Sequence, residues 1–164
     1  MVVAVLLGSV RSERLGDRAA KWVMAQLGAR GHEAVLVDAL ALKLPLLDKM
    51  WKEIKQNPPA KYKALHAKLA PLAELYARAD GFCVVSGEYN HSIPPGLTNL
   101  IDYFLEEYFW RASAIVCYSD KNFGGVRAAM QLRALLAEES GTFFDEFEWY
   151  MRAMKAERAR GEVH

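Results

Sequence analysis

The chain opens with Val2-Val3-Ala4-Val5-Leu6-Leu7-Gly8-Ser9-Val10-Arg11-Ser12-Glu13-Arg14-Leu15-Gly16. An unbroken apolar run of β-formers has no polar face, so it reads as a strand buried on both sides in a parallel sheet. The run stops at Gly8. A helical apolar pattern then starts at Leu15 and continues to about residue 29 through Ala19, Trp22, Val23, Gln26 and Leu27, with Trp22 expected in the core. The turn between them carries a glycine, two hydroxyls and two arginines. The free N–H groups of a first helical turn and the forked donors of arginine both favour an anion there. The stretch therefore reads as strand, phosphate cradle and helix; a surface turn with solvated arginines is the plainer alternative. It lacks the Gly-Lys-Ser/Thr ending of a P-loop and the Gly-x-Gly-x-x-Gly of a dinucleotide site, so a terminal monophosphate suits it better than a pyrophosphate or triphosphate.

Working outward, apolar runs and helical patterns alternate. Glu33–Asp38 is a second strand, followed by an apolar connection at 42–47 that should lie against another surface, a partner subunit being one candidate. Residues 50–55 make a helical turn, and 60–78 a helix that Pro71 should kink or divide. Residues 82–85 are a third strand, 96–107 a helix, 111–118 a fourth strand and 126–139 a further helix. Such alternation predicts an α/β fold, a parallel sheet with helices on both faces. The loops 8–16, 86–95 and 119–125 then gather outside the strand C-termini, where open α/β sheets bind ligands. No full fifth strand follows: it is short, a stub at 142–144, or absent, before a last helical pattern at 145–160.

With 164 residues, 52% of them apolar, the chain is expected to be one domain over 1–164. A net charge of +1 argues against a general nucleic-acid binder. Cys83 and Cys117 each sit in an apolar run and read as reduced core residues, with no metal site. No signal peptide or membrane-length apolar run is visible, which makes the cytoplasm the expected location and a membrane partner unexpected.

The middle loop supplies an acceptor, an aromatic face and an amide in Glu88-Tyr89-Asn90, and Pro94-Pro95 stiffen the entry to a helix. A planar heterocycle needs such surroundings, whereas a loop in which Ser92 caps the helix and Tyr89 packs locally needs no ligand. Gly8-Ser9-Val10-Arg11 with Arg14, the stretch Glu88-Tyr89-Asn90-His91-Ser92-Ile93-Pro94 with Leu97-Thr98-Asn99-Leu100-Ile101-Asp102, and Tyr118-Ser119 with Gly124-Gly125-Val126-Arg127-Ala128 and Gln131-Leu132-Arg133 together resemble the NAD(P)H-dependent FMN reductases. The resemblance runs in order from residue 2 to about residue 139.

It implies a flavodoxin-like three-layer sandwich with strand order 2-1-3-4. Ser9, Arg11 and Arg14 would hold the FMN phosphate, with backbone N–H groups near Leu15 and Gly16. Gly87, Glu88, Tyr89 and Asn90 would border the flavin ring, largely through main chain, and Ser119, Gly124 and Gly125 would close its other side. The family pattern carries Pro where this chain has Gly87, and a fifth strand where residues after 139 are contracted. NADPH or NADH would be the hydride donor and a small molecule such as a quinone or free flavin the acceptor. No side-chain acid or base is needed for hydride transfer, so no catalytic residue is named. A homodimer or tetramer is expected from the family.

Two other classes stay open: a flavodoxin-type electron carrier, disfavoured by the neutral charge, and a binding domain without turnover. His91 reads as a proton donor to a reduced acceptor or as a solvated loop residue. Tyr103, Phe104, Tyr108, Phe109 and Trp110 would wall an acceptor pocket, line an interface or pack in the core. Arg152, Lys155, Arg158 and Arg160 read as a solvated face.

Overall fold

In a computed structural model, β1 (Val2–Leu7) runs parallel between β2 (Glu33–Asp38) and β3 (Gly81–Ser86), and β4 (Ala112–Cys117) pairs with β3. The strand order β2-β1-β3-β4 is the predicted one. Leu7 lies opposite Asp38 and Val85, and Ser86 opposite Cys117, so the strands end level and release their loops at one edge. The structure describes residues 1–120 and 122–136 together with Ala153 and Ala156. The chain divides into two compact units, Met1–Ala134, which holds the four described strands, and Leu135–His164, in which Ala153 and Ala156 are helical. The expected stub at 142–144 and the basic residues of the last helical pattern lie outside the described residues.

Alternate side chains of the central strands serve the two faces. Val5, Leu7, Cys83 and Val85 form a buried cluster with Ala20 and Val23 of α1 (Gly16–Ala29), rimmed by Val3, Ala34, Val116 and Tyr118. On the opposite face Phe82 stands edge-on to Tyr76 of α4 (Lys63–Arg78), with ring centroids 5.2 Å apart. Two short helices, α2 (Ala39–Leu42) and α3 (Trp51–Ile54), and a 3-10 turn at Ala60–Tyr62 link β2 to α4.

Several sequence expectations are corrected. Trp22 is 60% exposed rather than core, because α1 lays Gly16, Ala20 and Val23 on the sheet and carries Trp22 to its flank. Pro71 does not divide α4, which continues through it from Lys63 to Arg78. Pro71 and Ala67, whose carbonyl loses its i+4 donor to the proline, are both exposed, so the helix carries the proline on its solvent side. The helix after the middle loop, α5 (Pro95–Asp102), stops well before residue 107. Its terminal turn gives way where Tyr103 O accepts the Trp51 N–H at 2.8 Å.

Beyond it a 3-10 turn at Glu106–Tyr108 packs the aromatic residues inward. Tyr103 and Phe104 are buried, and Tyr108 meets Phe82 at 4.9 Å and Tyr76 at 5.6 Å, so these three are core, while Trp110 stays 41% exposed. Asn99 and Tyr103 pin the 42–47 connection: Asn99 Nδ2 and Tyr103 Oη both donate to Pro45 O, at 2.7 and 2.9 Å. Leu46 on that connection remains 84% exposed. After β4 comes α6 (Val126–Leu135).

Candidate functional site

The first loop is drawn onto the end of the sheet. Gly8 N–H donates to Val85 O at 3.1 Å, and a Cβ on Gly8 would come within 2.6 Å of the Leu97 side chain of α5. A Cβ on Gly96 would likewise run into Val10 Cγ1. Glycine at both positions lets the first loop and the start of α5 approach closely. Ser9 is then 3% exposed, and its hydroxyl lies 2.7 Å from Tyr89 Oη. Loops eighty residues apart in sequence thus meet hydroxyl to hydroxyl.

The loop after β4 reaches the same place through Tyr118. Its N–H donates to Ser86 O at 3.0 Å, and its ring packs on the core cluster beneath α1. The ring rises between two glycines. A Cβ on Gly16 would strike Tyr118 Oη, and one on Gly87 would come within 3.3 Å of the ring. A side chain at Gly87 would therefore need the Tyr118 ring to give by a few tenths of an ångström. Tyr118 Oη is buried and has no partner in good hydrogen-bond geometry among the described residues. Burial raises its phenol above the usual range, and the Ser9 hydroxyl beside it partly offsets this.

Arg14 and Arg11 differ. The Arg14 side chain is 7% exposed and spends four of its five N–H donors inside the protein. Nε donates to Asp17 at 2.7 Å, Nη1 to Ser9 O at 2.8 Å, and Nη1 and Nη2 fork onto both Asp38 oxygens at 2.6 Å. Desolvation alone would raise the Asp38 carboxyl, but the Arg14 and Leu40 N–H donors and the Arg14 charge hold it below the usual carboxylate range. Arg14 thus ties the first loop to the end of β2. Arg11 is exposed and pairs with no carboxylate among the described residues. Leu15 is half exposed and Gly16 buried, at the start of α1.

The middle loop is a two-residue hairpin. Tyr89 and Ser92 exchange backbone hydrogen bonds at 3.0 and 2.9 Å, and Asn90 and His91 have φ of 47° and 64°. Two consecutive positive φ values mark a type I′ turn, in which Asn is favoured first and Gly second. The Glu88 carboxylate turns toward α6, accepting the Arg127 and Ala128 N–H groups at 3.0 and 3.3 Å. Desolvation works against its charge, yet these N–H groups, His91 and Arg127 keep it below the usual range. Ser92 does not cap α5 but donates to Gln131 Oε1 at 2.7 Å, a second tie between the middle loop and α6. The His91 side chain is 68% exposed, with Nδ1 3.1 Å from Arg127 Nη1.

Gly124 and Gly125 have φ of 59° and 82° ahead of α6. A Cβ on Gly125 would meet Tyr118 O at 3.0 Å, while Gly124 faces open space. Ser119 is half-buried where β4 ends. The structure thus brings Ser9, Arg14, Gly16, Gly87, Tyr89 and Gly125 around Tyr118 or one another. It leaves Arg11, Leu15, Asn90 and Gly124 exposed around them.

An apolar cavity of about 260 Å³ lies beside the first loop, between Val10, Leu40, Leu44, Leu46, Pro95 and Leu100. It is on the α5 side of Val10, separate from the hydroxyl cluster. No His, Cys, Asp and Glu group able to hold a metal ion occurs among the described residues, and no helix among them is long and apolar enough to cross a membrane.

Sequence reasoning missed Asp38 and Tyr118. The signal for Asp38 was an acid closing an apolar strand at the ligand edge. For Tyr118 it was an aromatic residue at the end of β4, opposite a middle loop that begins with glycine.

A family profile described as NADPH-dependent FMN reductase matches residues 1–153. The chain is similar to an NAD(P)H-dependent FMN reductase of Nectria sp, 31% identical over 133 residues, covering 79% of this chain and 64% of that protein. It is similar to a quinone reductase of Escherichia coli K12, 28% identical over 138 residues, covering 82% of this chain and 68% of that protein. The chain thus spans about two thirds of the length of the curated relatives it matches. In fold it resembles FerB, a flavoenzyme NAD(P)H:(acceptor) oxidoreductase from Paracoccus denitrificans, with a TM-score of 0.63 and 21% identity over 82% of this chain and 70% of that one. With its parallel 2-1-3-4 sheet and three converging loops, the chain belongs to the NADPH-dependent FMN reductase family.

Proposed function

We propose that the protein is an FMN-dependent oxidoreductase that takes hydride from NADPH or NADH and delivers it to a small acceptor such as a quinone or free flavin. The observation that carries the reading is the Ser9–Tyr89 hydroxyl contact, which joins the first and middle loops at the ligand edge of a chain in this family. The fit of the group rests on a buried serine hydroxyl, an orphaned phenol and the glycines that let the loops close on them.

When bound, FMN supplies the ring that accepts hydride and passes it on. Ser9, Arg11 and the N–H groups of Leu15 and Gly16 hold its phosphate. Arg14 holds Ser9 through the Ser9 carbonyl. Gly87, Glu88, Tyr89 and Asn90 present main chain to the ring, the Glu88 carboxylate keeping that loop docked on α6. Ser119, Gly124 and Gly125 close the other side. Charge-assisted hydrogen bonds to a phosphate contribute roughly 1.5–3 kcal/mol each, so a few suffice for tight, reversible binding.

The same reading makes the protein a cytoplasmic homodimer or tetramer acting as one domain over 1–164. The test is NADPH or NADH oxidation with a quinone by protein reconstituted with FMN. Turnover that requires both protein and FMN is expected. A yellow protein with almost no turnover would make it an electron carrier, and a protein that takes up no flavin would be a binding domain of another kind.

A further inference from the structure

We infer that the Tyr118 hydroxyl is a donor to the phosphate end of the bound cofactor, and so makes the site selective for FMN over riboflavin. The inference rests on the FMN-binding reading above and adds a residue to it.

Three hydroxyls from three loops are grouped at the ligand edge: Ser9 Oγ, Tyr89 Oη and Tyr118 Oη. Ser9 and Tyr89 satisfy each other at 2.7 Å. Tyr118 Oη is buried and meets no partner in good hydrogen-bond geometry among the described residues, with the Ser9 hydroxyl near enough to affect its titration. An unsatisfied buried hydroxyl is a cost, and such a group in a native fold calls for a reason.

Packing does not supply that reason. The ring is already anchored on the Val5, Leu7, Val23 and Val85 cluster, where a phenylalanine would pack as well without the orphaned oxygen. The oxygen is instead carried up between Gly16 and Gly87, two positions where any Cβ would displace it or its ring. It lies beneath the surface beside Ser9, with the Arg14 guanidinium and the Asp17 carboxylate within electrostatic reach.

Both carboxylates of that corner are engaged by Arg14, Asp17 at 2.7 Å and Asp38 through both its oxygens at 2.6 Å. The Ser9 hydroxyl, shared with Tyr89, is the neutral neighbour left to the Tyr118 O–H, and a phosphate oxygen held by Ser9 and the start of α1 would give it a charged acceptor. Hydrogen bonds to a charged acceptor are the strong ones, and losing one typically weakens binding about tenfold or more.

The test is Tyr118→Phe, which keeps the ring on its glycines and removes only the oxygen. FMN and riboflavin are titrated separately into cofactor-free wild type and variant, with binding read from flavin fluorescence. The expected result is an FMN Kd raised about tenfold or more with the riboflavin Kd unchanged. The melting temperature of the cofactor-free variant should be equal to or above wild type, because an unsatisfied group is gone. The 31P resonance of bound FMN should also differ between the two proteins.

Equal or tighter FMN binding by the variant would overturn the inference, and so would equal losses for FMN and riboflavin, which would give Tyr118 a packing role only. Failure of wild type itself to bind FMN would instead sink the functional reading on which the inference rests.

Discussion

Replacing Arg14 with alanine tests how the first loop is held. Arg14 is a 7% exposed side chain whose guanidinium forks onto Asp38, meets Asp17 and supports the Ser9 carbonyl. Its loss leaves Asp38, 18% exposed, as a desolvated carboxylate with the backbone N–H groups of Leu40 and Ala41 as its donors. Breaking a fully buried pair by removing one partner costs about 3–5 kcal/mol, and breaking an exposed one about 0–1. Asp38 is near the buried limit and Asp17, at 51% exposure, near the other, so the expected loss is about 2–3 kcal/mol.

The assay is urea unfolding of the cofactor-free protein. The pH dependence carries a sign. Asp38 titrates below its ordinary value in the folded chain, so its contribution is full above a pH of about 4 and is lost as pH falls through the folded value. The gap between wild type and Arg14→Ala should therefore narrow as pH is lowered from 7 toward 3. Adding Asp38→Asn to the variant should recover part of the loss at pH 7, because the orphaned charge is then absent. An Arg14→Ala protein within about 0.5 kcal/mol of wild type at pH 7 would refute the reasoning.

Gly16→Ala should cost about 1–3 kcal/mol in a thermal or urea melt, since its Cβ meets Leu7 Cδ1 at 2.8 Å as well as Tyr118 Oη. Gly28→Ala in the same helix meets nothing within 4 Å and should be neutral or stabilising, which makes it the control. His91→Gly should raise stability by up to about 1 kcal/mol in a urea melt, because φ of 64° suits glycine and the imidazole is largely exposed. Burial and the Glu88 charge push the Cys117 thiol up to about 11, and burial raises Cys83, so both should react slowly with Ellman's reagent at pH 8 in the native protein and quickly once it is unfolded.

The strands were legible because their signal is local. Val2–Leu7 and Glu33–Asp38 are apolar runs cut off by Gly8 and by Gly31-His32, and they fold over those residues. The loop cluster was legible because a parallel sheet sends every β-to-α loop to one edge, so Ser9 and Tyr89 had to come near each other once four strands were counted. What stayed hidden depends on orientations that no local pattern encodes.

Trp22 is one residue from Val23, and the choice of which faces the sheet was made by the small Gly16 and Ala20, which let α1 sit close. The end of α5 was set by a backbone hydrogen bond from Trp51, far away in sequence. Arg14 and Arg11 are indistinguishable as letters. They were separated by Asp38, which closes a strand and captures the nearer guanidinium. Glu88 was expected at a ring edge through its main chain; where its carboxylate goes was not legible, and it sits on the first N–H groups of α6, where the helix dipole favours it.

The central claim is that three loops at one sheet edge make a seat for a flavin mononucleotide held by its phosphate. Flavin titration into the cofactor-free protein, with FMN and riboflavin compared under the same conditions, tests it most directly. The account predicts one FMN per chain and riboflavin bound at least about tenfold more weakly, the phosphate supplying the difference. Equal affinity for the two flavins would contradict the phosphate seat, and no binding of either would contradict the site altogether.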